Sequence, residues 1–434
     1  MAAPCKPRIR DIAILGFAYF ATYFGAGNLI FPPLLGLNSG SSFFSGLVGL
    51  TLSGVFLPIF TLIVIGLNGN VHAITDHVGK YTYNILLAAL MLVCTFVSIP
   101  RTCATAIQLG IQGNIPAAPF IPLVILYFLI SFFFSLDKNR VMDRMGKYLT
   151  PFLALILVII SVLGIIHPLG TPGAPSVPQP FVNAFLGGYN TGDVLVSFIM
   201  ASVFITAIAN KGYTEIKQRN HCLIACGLIA FILLFIIYGA LLYMGACVSQ
   251  DYPQTIGRAD LLVAIIRRIG TAVMIPMGIA VILACLTTAI GQIAAVAEFT
   301  NQVCPPRISY GKAAAACCLL SALTALLGVD GIVTYIGWIF GVCYPPCLAL
   351  LVLGIFSRIL PNDGAYKGSV CLVTLYALLE SLPGLSGLAW AKALVSITPL
   401  SAYGFGWIVP FLIGLVAGSL LWSFRRPAVK TADV

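Results

Sequence analysis

The sequence predicts an all-α protein that crosses a membrane about twelve times. Of its 434 residues, 60% are hydrophobic and only 8% are charged, whereas soluble domains carry about 25% charged residues. The apolar residues form runs of about twenty, which is long enough to cross ~30 Å of hydrocarbon as a helix. Because these runs are continuous rather than alternating, they argue against a membrane β-barrel.

The apolar runs divide the chain into twelve predicted spans. The first run is too long for a signal peptide and has no clear small-residue cleavage site, so it counts as a span. Three longer connections, 167–189, 249–260 and 383–402, are expected outside the membrane as lids or as plain connectors. The spans cover residues 11–37, 42–68, 82–112, 117–135, 146–167, 190–210, 220–248, 261–300, 313–328, 331–356, 368–382 and 403–424.

The distribution of positive charge predicts the orientation of the spans. Most of the 23 Lys and Arg fall in alternate loops and in the two tails, and the loops rich in these residues face the cytoplasm in membrane proteins. Both termini are therefore expected in the cytoplasm. The net charge of +10 is explained by this pattern, so membrane lipid is an expected partner and nucleic acid is not.

The spans also predict an internal repeat within one transmembrane domain, 1–434. Residues 11–167 and 190–356 hold five spans each, and residues 368–424 hold two more. Since five is odd, the second set of spans enters the membrane in the opposite direction to the first. Inverted repeats of this kind are typical of secondary transporters.

The first span contains a stretch that weakens a helix, FATYFGAGNLIFPP at residues 20–33. Gly25 and Gly27 favour flexibility, Asn28 adds an amide, and two prolines remove backbone donors. A break at Gly25–Asn28 frees N–H groups that attract a carboxylate and carbonyls that replace water around a cation. Alternatively, the two glycines only let neighbouring helices approach closely.

Two further spans carry polar residues among apolar ones. In span eight, Thr287 and Thr288 are adjacent, which suits a dehydrated Na⁺, although Thr hydroxyls also bond carbonyls of their own helix. Span six is expected to present one polar stripe to a pore, with Phe198 and Phe204 as walls of an apolar pocket; helix–helix hydrogen bonding is the alternative. The stripe consists of Ser197, Ser202, Thr206 and Asn210.

Arg101 is the one cation predicted inside the hydrocarbon, where it costs about 2.5–3.5 kcal/mol to insert. Asp193, Glu298 and Asp330 are predicted near span ends, so no carboxylate is expected deep in a span. This argues against a proton relay and favours an ion held by neutral oxygens. The sequence has no His-Glu-x-x-His, Gly-x-Ser-x-Gly or phosphate-loop motif, so an enzyme is not expected.

Four motifs together resemble the bacterial branched-chain amino acid–cation symporters. They are GFAYFATYFGAGNLIFPPLLG (16–36), IPRT (99–102), CLTTAIG (285–291) with AEF (297–299), and YPPC (344–347). The resemblance implies membership of the amino acid–polyamine–organocation superfamily and its LeuT-type fold, with five helices repeated in inverted orientation and two added. In that fold, broken helices meet at the bilayer midplane.

The resemblance also implies a set of binding residues. The amides of Ala26 and Gly27, beside Gly25, would meet the substrate carboxylate. From the polar stripe of span six, and not from the resemblance, Ser197, Phe198 and Ser202 are added to the expected substrate site. One Na⁺ site would use carbonyls and hydroxyls of Ala21, Phe24, Ala284, Thr287 and Thr288. Thr22 and Asn28 correspond to a second cation site of some relatives.

The implied function is Na⁺-coupled import of leucine, isoleucine and valine across a bacterial inner membrane, with Na⁺ as coupling ion and no resident cofactor. One alternative is a transporter of the same fold for another small zwitterion, coupled to protons. Another is a channel or a receptor that does not concentrate the solute.

Overall fold

A computed structural model describes residues 8–136, 150–166, 169–303, 308–381 and 389–425. All regular secondary structure in these ranges is helical, because hydrocarbon leaves each span to satisfy its own backbone groups. The prediction of an all-α fold is therefore confirmed. The predicted outer connection at 383–402 and the fifth span at 146–167 lie partly outside the described residues.

The first half of the chain contains nine helices within the described ranges. Two π-helical turns, Cys94–Ser98 and Ala106–Gln112, flank α7, and a third, Thr51–Phe56, joins α3 to α4. The helices are α1 (Ile9–Tyr23), α2 (Ala26–Ser39), α3 (Phe43–Leu50), α4 (Leu57–Asn68), α5 (His72–Thr75), α6 (Thr82–Val93), α7 (Ile99–Thr105), α8 (Phe120–Ser135) and α9 (Thr150–Ile166).

The second half contains ten more helices in the described part of the chain. They are α10 (Pro180–Tyr189), α11 (Asp193–Asn210), α12 (Ile216–Cys247), α13 (Arg258–Ile269), α14 (Thr271–Val303), α15 (Tyr310–Ala325), α16 (Gly328–Ile355), α17 (Asp363–Ser381), α18 (Ala389–Ile397) and α19 (Ile408–Arg425). Each of the twelve predicted spans contains at least one helix.

Two predictions about element boundaries are wrong. The predicted span 261–300 divides at Gly270, which has φ 157°, into α13 and α14, and α13 is an amphipathic helix that carries Asp260, Arg267 and Arg268. The predicted outer connection 167–189 contains the helix α10. Ten residues are too few to cross a bilayer, so the sequence alone gave no reason to assign α10 to a span.

The chain forms two compact units. The first comprises residues up to Phe60 together with Leu90–Ile336, and the second comprises Thr61–Ala89 together with residues from Gly337 onward. In the first unit, α2 packs directly on α12: a Cβ at Gly36 would overlap the carbonyl oxygen of Leu242, and one at Gly245 would overlap that of Pro33. This tight packing fixes α2, whose first turn forms part of the candidate site.

Candidate functional site

The first span is interrupted at Phe24 and Gly25. Phe24 has ψ 96° and Gly25 has φ −135° and ψ −164°, so both residues are extended between α1 and α2. Ala26 and Gly27 begin α2 and are buried, and the first amides of a helix have no partner within it. Pro32 and Pro33, in contrast, lie inside α2 and do not end it.

A second interruption separates α10 from α11. Asn190 and Thr191 follow α10, and Gly192 precedes α11 with φ 86° and ψ 3°, a left-handed conformation that glycine adopts without a steric penalty. The predicted sixth span, 190–210, therefore begins at a helix break, and the half-helix before the break is α10. Both interruptions lie in the first unit.

Arg101 connects the two interruptions. It is 3% exposed and donates from Nη1 to the Asn190 carbonyl at 2.6 Å and from Nη2 to the Thr191 carbonyl at 2.7 Å. A Cβ at Gly27 would lie 2.8 Å from Nη2 of Arg101. The guanidinium therefore lies between the first turn of α2 and the carbonyls that end α10.

Asp193 lies at the end of its helix, as predicted, but its carboxylate is buried. It opens α11 and is 3% exposed, and its Oδ2 accepts a hydrogen bond from Nδ2 of Asn28 at 2.6 Å. Asn28 also contacts the Tyr238 hydroxyl. The sequence placed Asp193 at a span end, but that end is an internal helix break, so the carboxylate lies among buried residues.

The predicted Na⁺ ligands of span eight lie beside the first interruption. A Cβ at Gly25 would be 3.4 Å from Oγ1 of Thr288. Thr287 and Thr288 both donate to the Ala284 carbonyl, at 2.8 and 3.0 Å. Three oxygens of α14 are thereby grouped next to the segment that contains Phe24, which is buried, and Ala21, which is half-buried.

The two residues of the expected second cation site have separate partners. Thr22 donates to the Ala18 carbonyl of its own helix at 3.0 Å, whereas Asn28 donates to Asp193. The hydrogen bonds described for these side chains therefore do not join them, and the second site stays a prediction.

The predicted polar stripe of span six is not one face of α11. Ser197 is buried, forms a 2.8 Å hydrogen bond with the Tyr23 hydroxyl and donates to the Pro58 carbonyl at 2.9 Å. Ser202, Thr206 and Asn210 are exposed, because a step of five residues turns a helix roughly 140° beyond a full turn. Phe198 is buried like Ser197, whereas Ser202 is exposed.

Sequence reasoning missed three contributors to the site. These are the half-helix α10, the carbonyls of Asn190 and Thr191, and the buried carboxylate of Asp193. One signal was present in the sequence: GGYNTGD at 187–193 combines residues typical of helix ends and turns.

Comparison with known proteins places the chain in a family. A family model described as "Branched-chain amino acid transport protein" matches residues 8–425. The chain belongs to this family. The resemblance inferred from the four motifs is thereby confirmed.

Relatives named as branched-chain amino acid permeases match over nearly their full length. The branched-chain amino acid permease BrnQ of Corynebacterium glutamicum is 30% identical over 432 residues, covering 98% of both chains. The permease BraB of Bacillus subtilis is 29% identical over 440 residues, again covering 98% of both. These relatives are permeases, which are not enzymes, so the family supports transport rather than catalysis.

Solved structures share the fold at low sequence identity. Mhp1, a nucleobase-cation-symport-1 family transporter in a closed conformation with bromovinylhydantoin, covers 98% of this chain and 97% of its own at a TM-score of 0.65 and 12% identity. MhsT in complex with L-phenylalanine covers 93% and 98% at a TM-score of 0.55 and 17% identity. The family member described here therefore has a helical membrane-transporter fold.

Proposed function

We propose that the protein is a cation-coupled symporter that imports leucine, isoleucine and valine by alternating access. The description of its family and the names of the permeases BrnQ and BraB support the substrate class. We place the protein in a bacterial inner membrane with both termini in the cytoplasm, as the distribution of Lys and Arg favours.

The observation that carries this proposal is the meeting of two interrupted helices. One interruption offers the amides of Ala26 and Gly27, and the other offers the carbonyls of Asn190 and Thr191. Amides at a helix start attract a carboxylate, and carbonyls at a helix end attract a cation, as those of Asn190 and Thr191 attract the Arg101 guanidinium in this structure. A zwitterionic amino acid matches both groups of partners at once.

The substrate site in this proposal includes Gly25, Ala26 and Gly27 at the first interruption. Ser197 and Phe198 lie one turn beyond the second interruption and are buried, so Phe198 is the proposed wall for a branched side chain. Ser202 was proposed with them from the sequence. Its exposure separates it from the buried Ser197 and Phe198, so it is not part of the proposed pocket for the side chain.

Sodium is the first candidate for the coupling ion. The proposed ligands are the carbonyls of Ala21, Phe24 and Ala284 with the hydroxyls of Thr287 and Thr288. The position of Gly25 beside Thr288, where an added Cβ would lie 3.4 Å from Oγ1, supports this set, because it brings the first interruption near the oxygens of α14. Neutral oxygens suit a hard cation that has lost its water.

The proton is a second candidate, and one observation favours it. Asp193 is buried beside Asn28, and a buried ionisable group in a membrane protein is expensive and usually functional. In this mechanism the Asp193 carboxylate takes up a proton with the substrate and releases it on the other side. The inverted repeats 11–167 and 190–356, with the added helices 368–424, supply the rocking motion in either mechanism.

The test is uptake of labelled leucine into proteoliposomes that hold the purified protein. Accumulation driven by an inward Na⁺ gradient supports sodium coupling, and accumulation driven only by an inward proton gradient supports Asp193 as the coupling site. Equilibration without accumulation under both gradients would contradict the symporter and favour a channel. Accumulation of a different zwitterion in place of leucine would contradict the substrate assignment alone.

A further inference from the structure

The guanidinium of Arg101 occupies the position between the two interruptions, where the proposed substrate binds. It donates to the carbonyls of Asn190 and Thr191 at 2.6 and 2.7 Å. On its other side it lies against Gly27, whose amide is a proposed partner of the substrate carboxylate. Arg101 therefore bonds the carbonyls of one interruption and lies beside Gly27 at the other.

The surroundings of Arg101 keep its charge inside the protein. The guanidinium carbon lies 5.8 Å from the ring centroid of Phe31, a distance at which an aromatic face attracts a cation. Asp193 is close enough to interact with it electrostatically. Because Phe31 and Asp193 already stabilise the charge of Arg101, the ligand does not need a net negative charge. A zwitterion with no net charge can therefore bind beside the guanidinium.

Arginine is the side chain best suited to bind a carboxylate at such a position. Its planar fork forms two parallel N–H···O bonds with a carboxylate, and these charge-assisted bonds are stronger than bonds to a neutral carbonyl. The Asn190 and Thr191 carbonyls are neutral acceptors. A carboxylate that reaches the first turn of α2 is thus a better partner for the guanidinium than the acceptors it has in this structure.

We propose that Arg101 is a substrate-binding residue that exchanges partners when an α-amino acid binds. This rests on the proposed function, since it concerns the zwitterion at the two interruptions. Arg101 turns its fork from the carbonyls to the substrate carboxylate, beside the amides of Ala26 and Gly27. The α-ammonium group of the substrate then donates to the Asn190 and Thr191 carbonyls, so that every released acceptor regains a donor.

Because Arg101 exchanges partners in this proposal, a ligand binds tightly only when it carries an α-carboxylate. A ligand with an ammonium group but no carboxylate must displace Arg101 from the carbonyls without offering it a charged, bidentate acceptor. Leaving a buried charged group without its partner is costly. Leucinamide keeps the side chain and the amino group of leucine and lacks only the carboxylate charge, so it is the matched probe.

The experiment removes the Arg101 guanidinium and the ligand carboxylate, each alone and both together, as in a double-mutant cycle. Binding of labelled leucine to the purified full-length protein, and its competition by leucinamide, are measured in the wild type and in Arg101→Gln. We expect the wild type to bind leucine about a hundredfold or more tightly than leucinamide, since truncating one partner of a buried charge pair has large effects. In Arg101→Gln this ratio should fall to about threefold, mainly through weaker leucine binding.

Two variants control for changes of structure. Arg258→Gln removes another arginine near the same ring, at 5.9 Å from the Phe31 centroid, and should leave the ratio unchanged. Arg101→Lys keeps the charge but loses the fork, so its ratio should lie between those of wild type and Arg101→Gln. If Arg101→Gln fails to fold, the ratio in Arg101→Lys decides the question.

The outcomes separate this proposal from the proposed function. If the Arg101 variants weaken leucine and leucinamide by the same factor, Arg101 only supports the helices and the partner exchange is wrong, while leucine binding by the wild type stands. If the wild type binds no leucine, the substrate assignment and the role of Arg101 toward leucine are both overturned.

Discussion

Two of the regions where glycine brings backbone close to another group differ in what the contact does. At the start of α2, Gly27 lies against the guanidinium of Arg101, next to an interrupted helix. Between α17 and α19, Gly364 and Gly368 face Gly418 and Gly414, and a Cβ on any of the four would overlap the facing helix backbone. Both of these helices are continuous, so the second contact leaves backbone groups satisfied and is only a packing interface.

The difference shows what a glycine contact needs in order to become a site. Small residues at a helix interface bring apolar helices together by close packing. A binding site needs backbone groups that the helix does not use and a charged or polar side chain beside them. The first region has unused backbone groups and the charged side chain of Arg101, and burying these polar groups lowers the stability of the fold. Changes in the first region should therefore alter transport, and changes in the second should alter stability.

The largest expected effect is that of Gly27→Val. Its Cβ would lie 2.8 Å from Nη2 of Arg101, so the guanidinium must move and the first turn of α2 is no longer bare. Overpacking costs up to about 3 kcal/mol, so initial leucine uptake should fall by about a hundredfold, with normal amounts of protein in the membrane. Uptake in proteoliposomes is the measurement.

Gly337→Val is the matched control for that prediction. Gly337 lies in the membrane helix α16 and has open space where a Cβ would be. This variant should transport at close to the wild-type rate. Wild-type uptake by Gly27→Val would mean that the first interruption does not bind the substrate.

The next effect is that of replacing Thr287 and Thr288 together by alanine. The change removes two hydroxyl oxygens and leaves α14 as apolar as before, so insertion should be unaffected. Each lost contact to a charged group costs roughly 1.5–3 kcal/mol, so the Na⁺ concentration for half-maximal uptake should rise more than about tenfold. Leucine affinity should fall with it, because coupling between two ligands is reciprocal.

Leucine uptake titrated with NaCl at constant ionic strength measures this change. Identical curves for the wild type and the double variant would remove the cation site from α14. The two threonines would then only bond the Ala284 carbonyl, as they do within their own helix.

Gly368→Ala should lower stability and leave leucine binding nearly unchanged, the reverse of the effect expected for Gly27→Val. The added methyl overlaps the Gly414 carbonyl oxygen and separates α17 from α19, which should destabilise the protein by about 1–3 kcal/mol. The melting temperature in detergent should fall, whereas the leucine affinity of the folded fraction should stay within about twofold of the wild type, a difference under 1 kcal/mol. Gly337→Ala is the control without a steric clash. An altered leucine affinity at an unchanged melting temperature would contradict the distinction between the two regions.

The smallest effect is expected for Asp330→Asn, which removes an exposed ion pair. Asp330 accepts from Arg258 at 2.6 Å, with side chains 52% and 28% exposed, and pairs of this kind contribute about 0–1 kcal/mol. Thermal stability and leucine binding should change little. A tenfold loss of binding would show that this pair acts on the substrate site although it is exposed.

The sequence predicted which apolar segments form helices more reliably than it predicted where the interrupted helices begin and end. Spans follow from the transfer of apolar side chains into hydrocarbon, which depends on local composition, so each predicted span contains a helix. The break in the first span was visible because Gly25 and Gly27 lie within an apolar run. The break before Asp193 was not, because α10 is short and its flanking residues read as a loop.

The sequence by itself determined the helical class, the family and the first interruption. Each of these depends on residues that are neighbours along the chain. The tertiary structure alone decided that Arg101 reaches Asn190 and Thr191 and that Asn28 meets Asp193. These contacts join residues that are mostly far apart in the chain, and the packing of α2, α7 and α11 sets their distances.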